Sequence, residues 1–240
     1  MGSGTVFERY EIKYIITEKQ KELIKNGMEK YMAPDKYGRS VIRNIYYDTA
    51  DSRLIRRSNE KPVYKEKLRV RSYKRVESDD ETVFVELKKK YNSVVYKRRT
   101  VLSENTAAKW LNDGQLPQEQ TQIISEIEYF RRFYGSLVPS AFVSYDREAF
   151  FAVDGSDFRV TFDENISART TDLSLKKDVG GEKLLGNGLV LMELKTHSGI
   201  PLWMTSLLSE NGIFKTSFSK YGTAYRTMIF PEKGEIKNVC

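Results

Sequence analysis

Apolar and charged residues alternate with a period of two through segment after segment of this chain. In KLRVRSY, Lys67, Arg69 and Arg71 fall on one face of an extended strand, and Leu68 and Val70 fall on the other. VFVELKK sets Glu86 and Lys88 opposite Val83, Val85 and Leu87, and LVLMELK sets Glu193 and Lys195 opposite Val190, Met192 and Leu194. Three strands with one arrangement predict a sheet whose apolar face is covered by helices. If the charged faces converge, they enclose a basic cavity with a few embedded carboxylates, which suits phosphate chains held with a divalent metal.

The same periodicity predicts the remaining elements. FERYEIKYII (7–16) reads as a first strand, and Thr17 caps a helix whose stripe runs through Leu23, Ile24, Gly27, Met28 and Tyr31 and stops before Pro34. SVIRNIYYDT is a strand ending in a turn or cap at Asp48 and Thr49. Long strands at 63–73, 81–90 and 94–102 follow, joined by ESDDE (77–81) and Asn92-Ser93 in hairpin fashion. Helices are predicted after Ser103 (Ala107, Ala108, Leu111) and after Pro117 (Ile123, Ile127, Phe130, Tyr134). The strands SAFVSYDREAF and DFRVTFDENI flank the turn Asp154-Gly155. Residues 167–187 read as a mobile or weakly structured loop, 188–196 as the last strand, and Pro201 opens a short helix through Trp203, Leu207 and Leu208. No repeat or linker interrupts the chain. One α+β domain over residues 5–230 is expected, with a tail at 231–240. Its eight or so antiparallel strands either close into a barrel with the charged face inward and helices outside, or lie open with that face in water.

Composition narrows the partner. The 240 residues carry a net charge of +7, which calls for an anion. Most basic residues are interleaved with acidic ones, and no basic run exceeds the three residues of KKK at 88–90, so no tract tracks a nucleic-acid backbone and no nucleic-acid partner is expected. The one cysteine, Cys240, excludes an internal disulfide framework or cysteine metal site. Apolar runs are too short to span a bilayer, and no signal-peptide h-region opens the chain. A cytoplasmic protein is expected, with a membrane partner left possible. MGSG at the start reads as a cloning remnant.

RYEIKY (9–14), LRVR (68–71), VFVELK (83–88), SYDREAF (144–150), MELK (192–195) and SFSKY (217–221) occur in that order. Together they resemble the polyphosphate polymerase domain of the vacuolar transporter chaperone (VTC) proteins, a branch of the triphosphate tunnel metalloenzymes related to the CYTH domain. The resemblance covers Arg9 to about Tyr221 and implies a closed eight-stranded tunnel. It also implies that the γ-phosphate of ATP passes to inorganic polyphosphate, with Mn²⁺ or Mg²⁺ as cofactor and pyrophosphate or phosphate as further partners. Carried over by position, it implies that Lys13, Arg69, Arg71, Lys88, Lys97, Arg99, Arg147 and Lys220 line the tunnel. Tyr145 would place a hydroxyl near the phosphates and Glu193 would hold the metal. The relatives' Glu-x-Glu-x-Lys signature is broken here by Arg9, which leaves Glu11 and Lys13 and fits the VTC branch better than two-metal hydrolysis.

These residue types suit the chemistry. Phosphoryl transfer has a loose transition state, so a protein contributes mainly positioning and charge. Arg69, Arg71, Arg99 and Arg147 offer bidentate forks, and Lys13, Lys88 and Lys220 offer point charges. Lys67, Lys195, Arg159 and Arg9 are further phosphate-binding candidates, and Glu11 and Glu86 are expected to help Glu193 with the metal. Plainer readings stand beside these. Glu86 with Lys88, or Glu193 with Lys195, suits a same-face ion pair in water, and Arg159 with Asp163 suits either two tunnel residues or a structural pair. His197 reads as a surface residue, and Trp110 and Trp203 read as core. Two other functions share the pattern: a metal-dependent tripolyphosphatase or nucleoside triphosphatase, and a non-catalytic polyphosphate-binding module.

Overall fold

The chain opens on β1 (Phe7–Thr17), α1 (Glu18–Met28), the short β2 (Met32–Pro34) and β3 (Ser40–Thr49). After α2 (Arg53–Asn59) come β4 (Tyr64–Ser72), β5 (Thr82–Tyr91) and β6 (Val94–Ser103), then α3 (Glu104–Asp113) and α4 (Gln122–Tyr134). The remainder is β7 (Leu137–Ala152), β8 (Arg159–Arg169), β9 (Glu182–Lys183), β10 (Leu189–Thr196), α5 (Leu202–Glu210), α6 (Lys220–Ala224) and a π-helical turn, Tyr225–Ile229. The computed structural model describes residues 7–197 and 199–231, with Phe7–Arg9 described through their backbone alone. Cys240 and all of the expected tail after Pro231 lie outside the described residues.

The strands pair antiparallel in the order β7-β3-β4-β5-β6-β1-β10-β8, and a β7–β8 pairing returns the ladder to its start. Eight strands thus ring an interior, as expected, while β2 and β9 sit outside the ring on β7 and β8. The wall is not sealed throughout. β1 meets β6 only where Phe7–Arg9 face Lys97–Val95, and beyond that it pairs with β10. Part of the freed β1 edge is covered by Thr216, whose N–H donates to the Lys13 carbonyl at 2.7 Å.

Strand parity decides what faces in. Leu68, Val70, Val83, Val85 and Leu87 point outward and pack under α3 and α4 against Trp110, Leu111, Ile127 and Phe130. Tyr14, Ile16, Val160, Phe162, Met192 and Leu194 point outward under α1 and α5 against Ile24, Met28, Met204 and Leu208. Each such side chain contributes roughly 1.5–3 kcal/mol by leaving water, which fixes the charged alternates on the inner face. The third cluster departs from a wholly polar interior. Ile42, Tyr46, Val143, Tyr145 and Leu191 point inward and take up Tyr221 and Ala224 of α6, so α6 plugs the part of the barrel beneath β3, β7 and β8. Gly222 permits that insertion, because a Cβ there would stand 2.8 Å from Asn59 Oδ1 of α2.

Three sequence expectations need correction. Residues 167–187 are tethered rather than loose: Arg169 donates to the carbonyls of Asp172, Ser174, Asp178 and Gly180, while Leu175 and Leu184 are buried. The short helix α2, absent from the periodicity, is held by Asp48, whose carboxylate accepts the N–H groups of Leu54 and Ile55. Leu23 faces solvent, because Ile24 and Met28 alone form the buried stripe of α1 with Lys21.

Candidate functional site

The inner face is built of cross-strand rows. On the β7-β8-β10-β1 wall, Phe151, Arg159, Lys195 and Glu11 stand directly opposite one another in turn, followed by Ala149, Thr161, Glu193 and Lys13, then Arg147, Asp163, Leu191 and Ile15. On the facing wall the rows are Tyr46, Arg69, Glu86 and Arg99; Asn44, Arg71 and Phe84; and Lys67, Lys88 and Lys97. Most of them line a cavity of about 1560 Å³, with Glu86, Asn44 and Asp163 fully buried behind its surface. The predicted tunnel residues of β1, β4, β5, β6, β7 and β10 and Lys220 of α6 all reach it. Arg9 stands opposite Val95, and its side chain lies outside the described residues.

Two carboxylates organise the cations. Glu86, fully buried, accepts Arg69 Nε at 2.8 Å and Arg99 Nε at 2.6 Å, with Arg71 and Lys97 at 3.9 Å. Burial opposes its ionisation, but the field of Arg69, Arg71 and Arg99 holds the carboxyl well below the usual range. This corrects the expectation that Glu86 helps hold a metal: its oxygens are taken up by guanidinium groups. Asp163 plays the same part on the other wall. It binds Arg147 by Nε at 2.6 Å and Nη2 at 2.7 Å, and Lys220 Nζ at 2.5 Å. Arg159 is not its partner but lies at the channel mouth beside Phe151 and Lys195.

Glu193 is held more loosely. It is buried, yet Lys195, Arg147, Lys220 and Lys13 stand 3.1, 3.4, 3.6 and 3.7 Å from its oxygens. Against the cost of burial, Lys220, Lys195 and Lys13 keep it ionised, well below the usual carboxyl range. Glu11, half-buried, accepts Lys88 Nζ at 2.6 Å and, against the cost of desolvation, is brought down to about 2 with Lys88 as the main attraction. Tyr145 gathers cations from three elements: its hydroxyl accepts Arg71 Nη2 at 3.0 Å, and its ring lies 5.1 Å from the Arg147 guanidinium and 4.4 Å from Lys220 Nζ.

Positive charge is left uncompensated. Lys67 has no carboxylate partner among the described residues, and its Nζ donates to Ser219 Oγ at 2.8 Å. Burial and the neighbouring Lys13 and Lys88 push it well below a normal lysine. Burial likewise brings Lys97 to about 7 and Lys195 to about 8, against the pull of Glu86 and Glu193 respectively. An inner wall of this kind is matched in charge to a polyanion.

A VTC domain signature matches residues 8–229. The chain belongs to the VTC domain family. No curated protein matches it. Among solved structures, a Bacillus halodurans protein provisionally named an adenylate cyclase superposes with a TM-score of 0.55 at 13% identity, covering 89% of this chain and 95% of that one. HpAC1 from Hippeastrum, also provisionally named an adenylyl cyclase and described as having a dominant triphosphatase activity, gives 0.54 at 16% identity over 91% and 95%. Both share the fold. No described helix is long and apolar enough to cross a membrane.

Within this VTC channel the fit to a divalent cation is partial. Among the described residues no three acidic, histidine or cysteine side chains converge into a cage. Glu86 and Asp163 are saturated by short contacts, whereas Glu193 is ionised with only one long hydrogen bond, from Arg147. Of the inner carboxylates it is the one with no contact shorter than 3.1 Å. Sequence reasoning does not reach three residues of the inner wall. Asn44 accepts Arg71 Nε, Tyr46 accepts Arg69 Nη1, and Ser219 caps α6 while accepting Lys67. Asp163, expected as a tunnel residue or as a partner of Arg159, binds Arg147 and Lys220. Strand parity with Thr161 marks Asp163, and the Ser-Lys opening of α6 marks Ser219; nothing local marks the other two. His197 is a surface residue beside Asp157, while Trp110 is buried and Trp203 half-buried, stacked on Tyr31.

Proposed function

We propose that this tunnel-fold protein is a polyphosphate polymerase, moving the γ-phosphate of ATP onto the end of an inorganic polyphosphate chain. The observation that carries the reading is the state of its four inner carboxylates. Glu11, Glu86, Asp163 and Glu193 each lie against a lysine or arginine, at 2.6, 2.6, 2.5 and 3.1 Å, so each is placed as a counter-ion rather than as a free base for water. A terminal phosphate oxygen of a growing chain is already anionic at neutral pH and needs no general base.

The protein's part is then to align and neutralise. Arg147, Lys220 and Lys13 would grip the transferred phosphoryl group, and Arg69, Arg71 and Arg99, fixed by Glu86, Tyr46 and Asn44, would hold the acceptor chain from the opposite wall. Lys67, Lys88 and Lys97 would extend the track for a product longer than one triphosphate. Glu193 would help hold Mn²⁺ or Mg²⁺, which would supply charge stabilisation for the leaving nucleoside diphosphate. The triphosphatase activity described for HpAC1 favours a second reading, triphosphate hydrolysis in the same channel.

Incubating the purified chain with ATP and Mn²⁺, then staining a gel for polymer and assaying orthophosphate, decides between them. Polymer is the expected product. Orthophosphate alone would establish the hydrolase, and neither product would leave a binding module.

A further inference from the structure

The row at one mouth, Phe151, Arg159, Lys195 and Glu11, contains a ring that phosphate binding does not use. Phe151 shares the inward face of Arg147 and Ala149, whereas Phe150 and Ala152 point outward into the apolar cluster under α1 and α5. It lines the channel, remains 44% exposed and stacks on no aromatic ring among the described residues. Arg159, directly across the β7–β8 ladder, is also exposed and makes no hydrogen bond or ion pair among the described residues. Next along the row is Lys195, buried, with Nζ 3.1 Å from Glu193. A free aromatic face and a free planar cation therefore sit side by side, directly above the cations that hold phosphate.

The other mouth differs in kind. Because β7 and β4 run in the same direction around the ring, the start of β4 and the end of β5 lie opposite the end of β7. Lys65 and Lys90 line the channel there, while Lys88, bonded to Glu11, lies between the two ends. Lysines suffice for a chain of bare phosphates. A ring with a guanidinium beside it suits a flat heterocycle, which stacks on both.

We propose that Phe151 and Arg159 form a nucleobase subsite, which fixes the direction of the channel: the nucleotide enters with its base at this mouth and its phosphates running past Lys195 toward Lys13, Arg147 and Lys220, while the base-free chain occupies the lysine mouth. This rests on the reading that the channel takes a nucleoside triphosphate. Every base has a π-face, so the subsite separates nucleotide from inorganic triphosphate without choosing among bases.

Calorimetric binding of a non-hydrolysable ATP analogue and of inorganic tripolyphosphate tests it. Phe151→Ala should weaken the analogue about tenfold and leave tripolyphosphate within about twofold, Phe151→Trp should restore the analogue, and Arg159→Ala should weaken the analogue more than tripolyphosphate. Equal losses for both ligands in Phe151→Ala, or none for either, would overturn the subsite while leaving the channel's phosphate site standing. If wild-type protein binds neither ligand, the subsite and the proposed function fall together.

Discussion

Arg147 and Lys220, from a strand and from the plugging helix, meet on the same oxygen of Asp163, at 2.7 and 2.5 Å. One fully buried carboxylate therefore sets the position of two of the proposed phosphoryl-gripping cations. Asp163→Asn keeps the side-chain volume but leaves both cations buried without their counter-charge. Breaking a buried pair this way costs about 3–5 kcal/mol. The expected result is a lower melting temperature, loss of turnover, and recovery of much of the melting temperature on adding tripolyphosphate, which supplies the missing negative charge. A melting temperature equal to wild type would show that Asp163 does not hold these groups.

The shared face of the charges was legible because it depends on parity alone: Lys67, Arg69 and Arg71 could not be turned outward without burying them beside Val70 under α3. Closure of the ring was not, since parity allows an open sheet as well, and it followed only from the resemblance to the VTC domain. Pairing across the barrel was not legible. Arg159 and Asp163 share a face, which suggested a pair, but the register sets Arg147 directly opposite Asp163 and carries Arg159 to the rim. Glu86 as counter-ion rather than metal ligand likewise depends on β4 and β6 flanking β5, a fact of topology. The tether of residues 167–187 escaped for the same reason, since Arg169 reaches carbonyls distributed along the segment rather than at a period.

Glu193 differs from the other inner acids in having no contact shorter than 3.1 Å. Glu193→Gln should therefore cost less stability than the loss of a carboxylate held by short contacts. It also removes a negative charge that repels phosphate, so tripolyphosphate should bind as tightly or more tightly in the absence of metal, while metal-stimulated turnover is lost. Thermal melting, calorimetry and polymer yield on the same preparation check the three parts. Weaker metal-free binding would reverse the role assigned to this residue.

Glu86 is the opposite case, with guanidinium groups of Arg69 and Arg99 close on its two oxygens. Glu86→Gln retains one acceptor but leaves Arg69, Arg71 and Arg99 in mutual repulsion around a buried site, a loss of about 3–5 kcal/mol by the same argument. The unliganded melting temperature should fall well below that of Glu193→Gln. Comparable stability in the two variants would mean that the arginines hold their places without Glu86.

The lysines give the channel a pH dependence of definite sign. Lys97 near 7 and Lys195 near 8 lie below the ordinary 10.5 because of burial, and Lys67 lies well below it. In the unliganded protein the penalty for charging them is fully present below about 7 and is relieved as pH rises toward 10.5, so the free protein gains stability across that window. A bound polyanion reverses the effect by favouring the charged lysines, so binding takes up protons and weakens as pH rises from 7 to 10. Long-chain polyphosphate, whose internal phosphates stay ionised throughout, is the ligand to use. Calorimetry at pH 8 in two buffers of different ionisation heat should report net proton uptake. No net proton uptake, or an affinity that does not fall with pH, would place these lysines in their ordinary range, already charged before the polyanion binds.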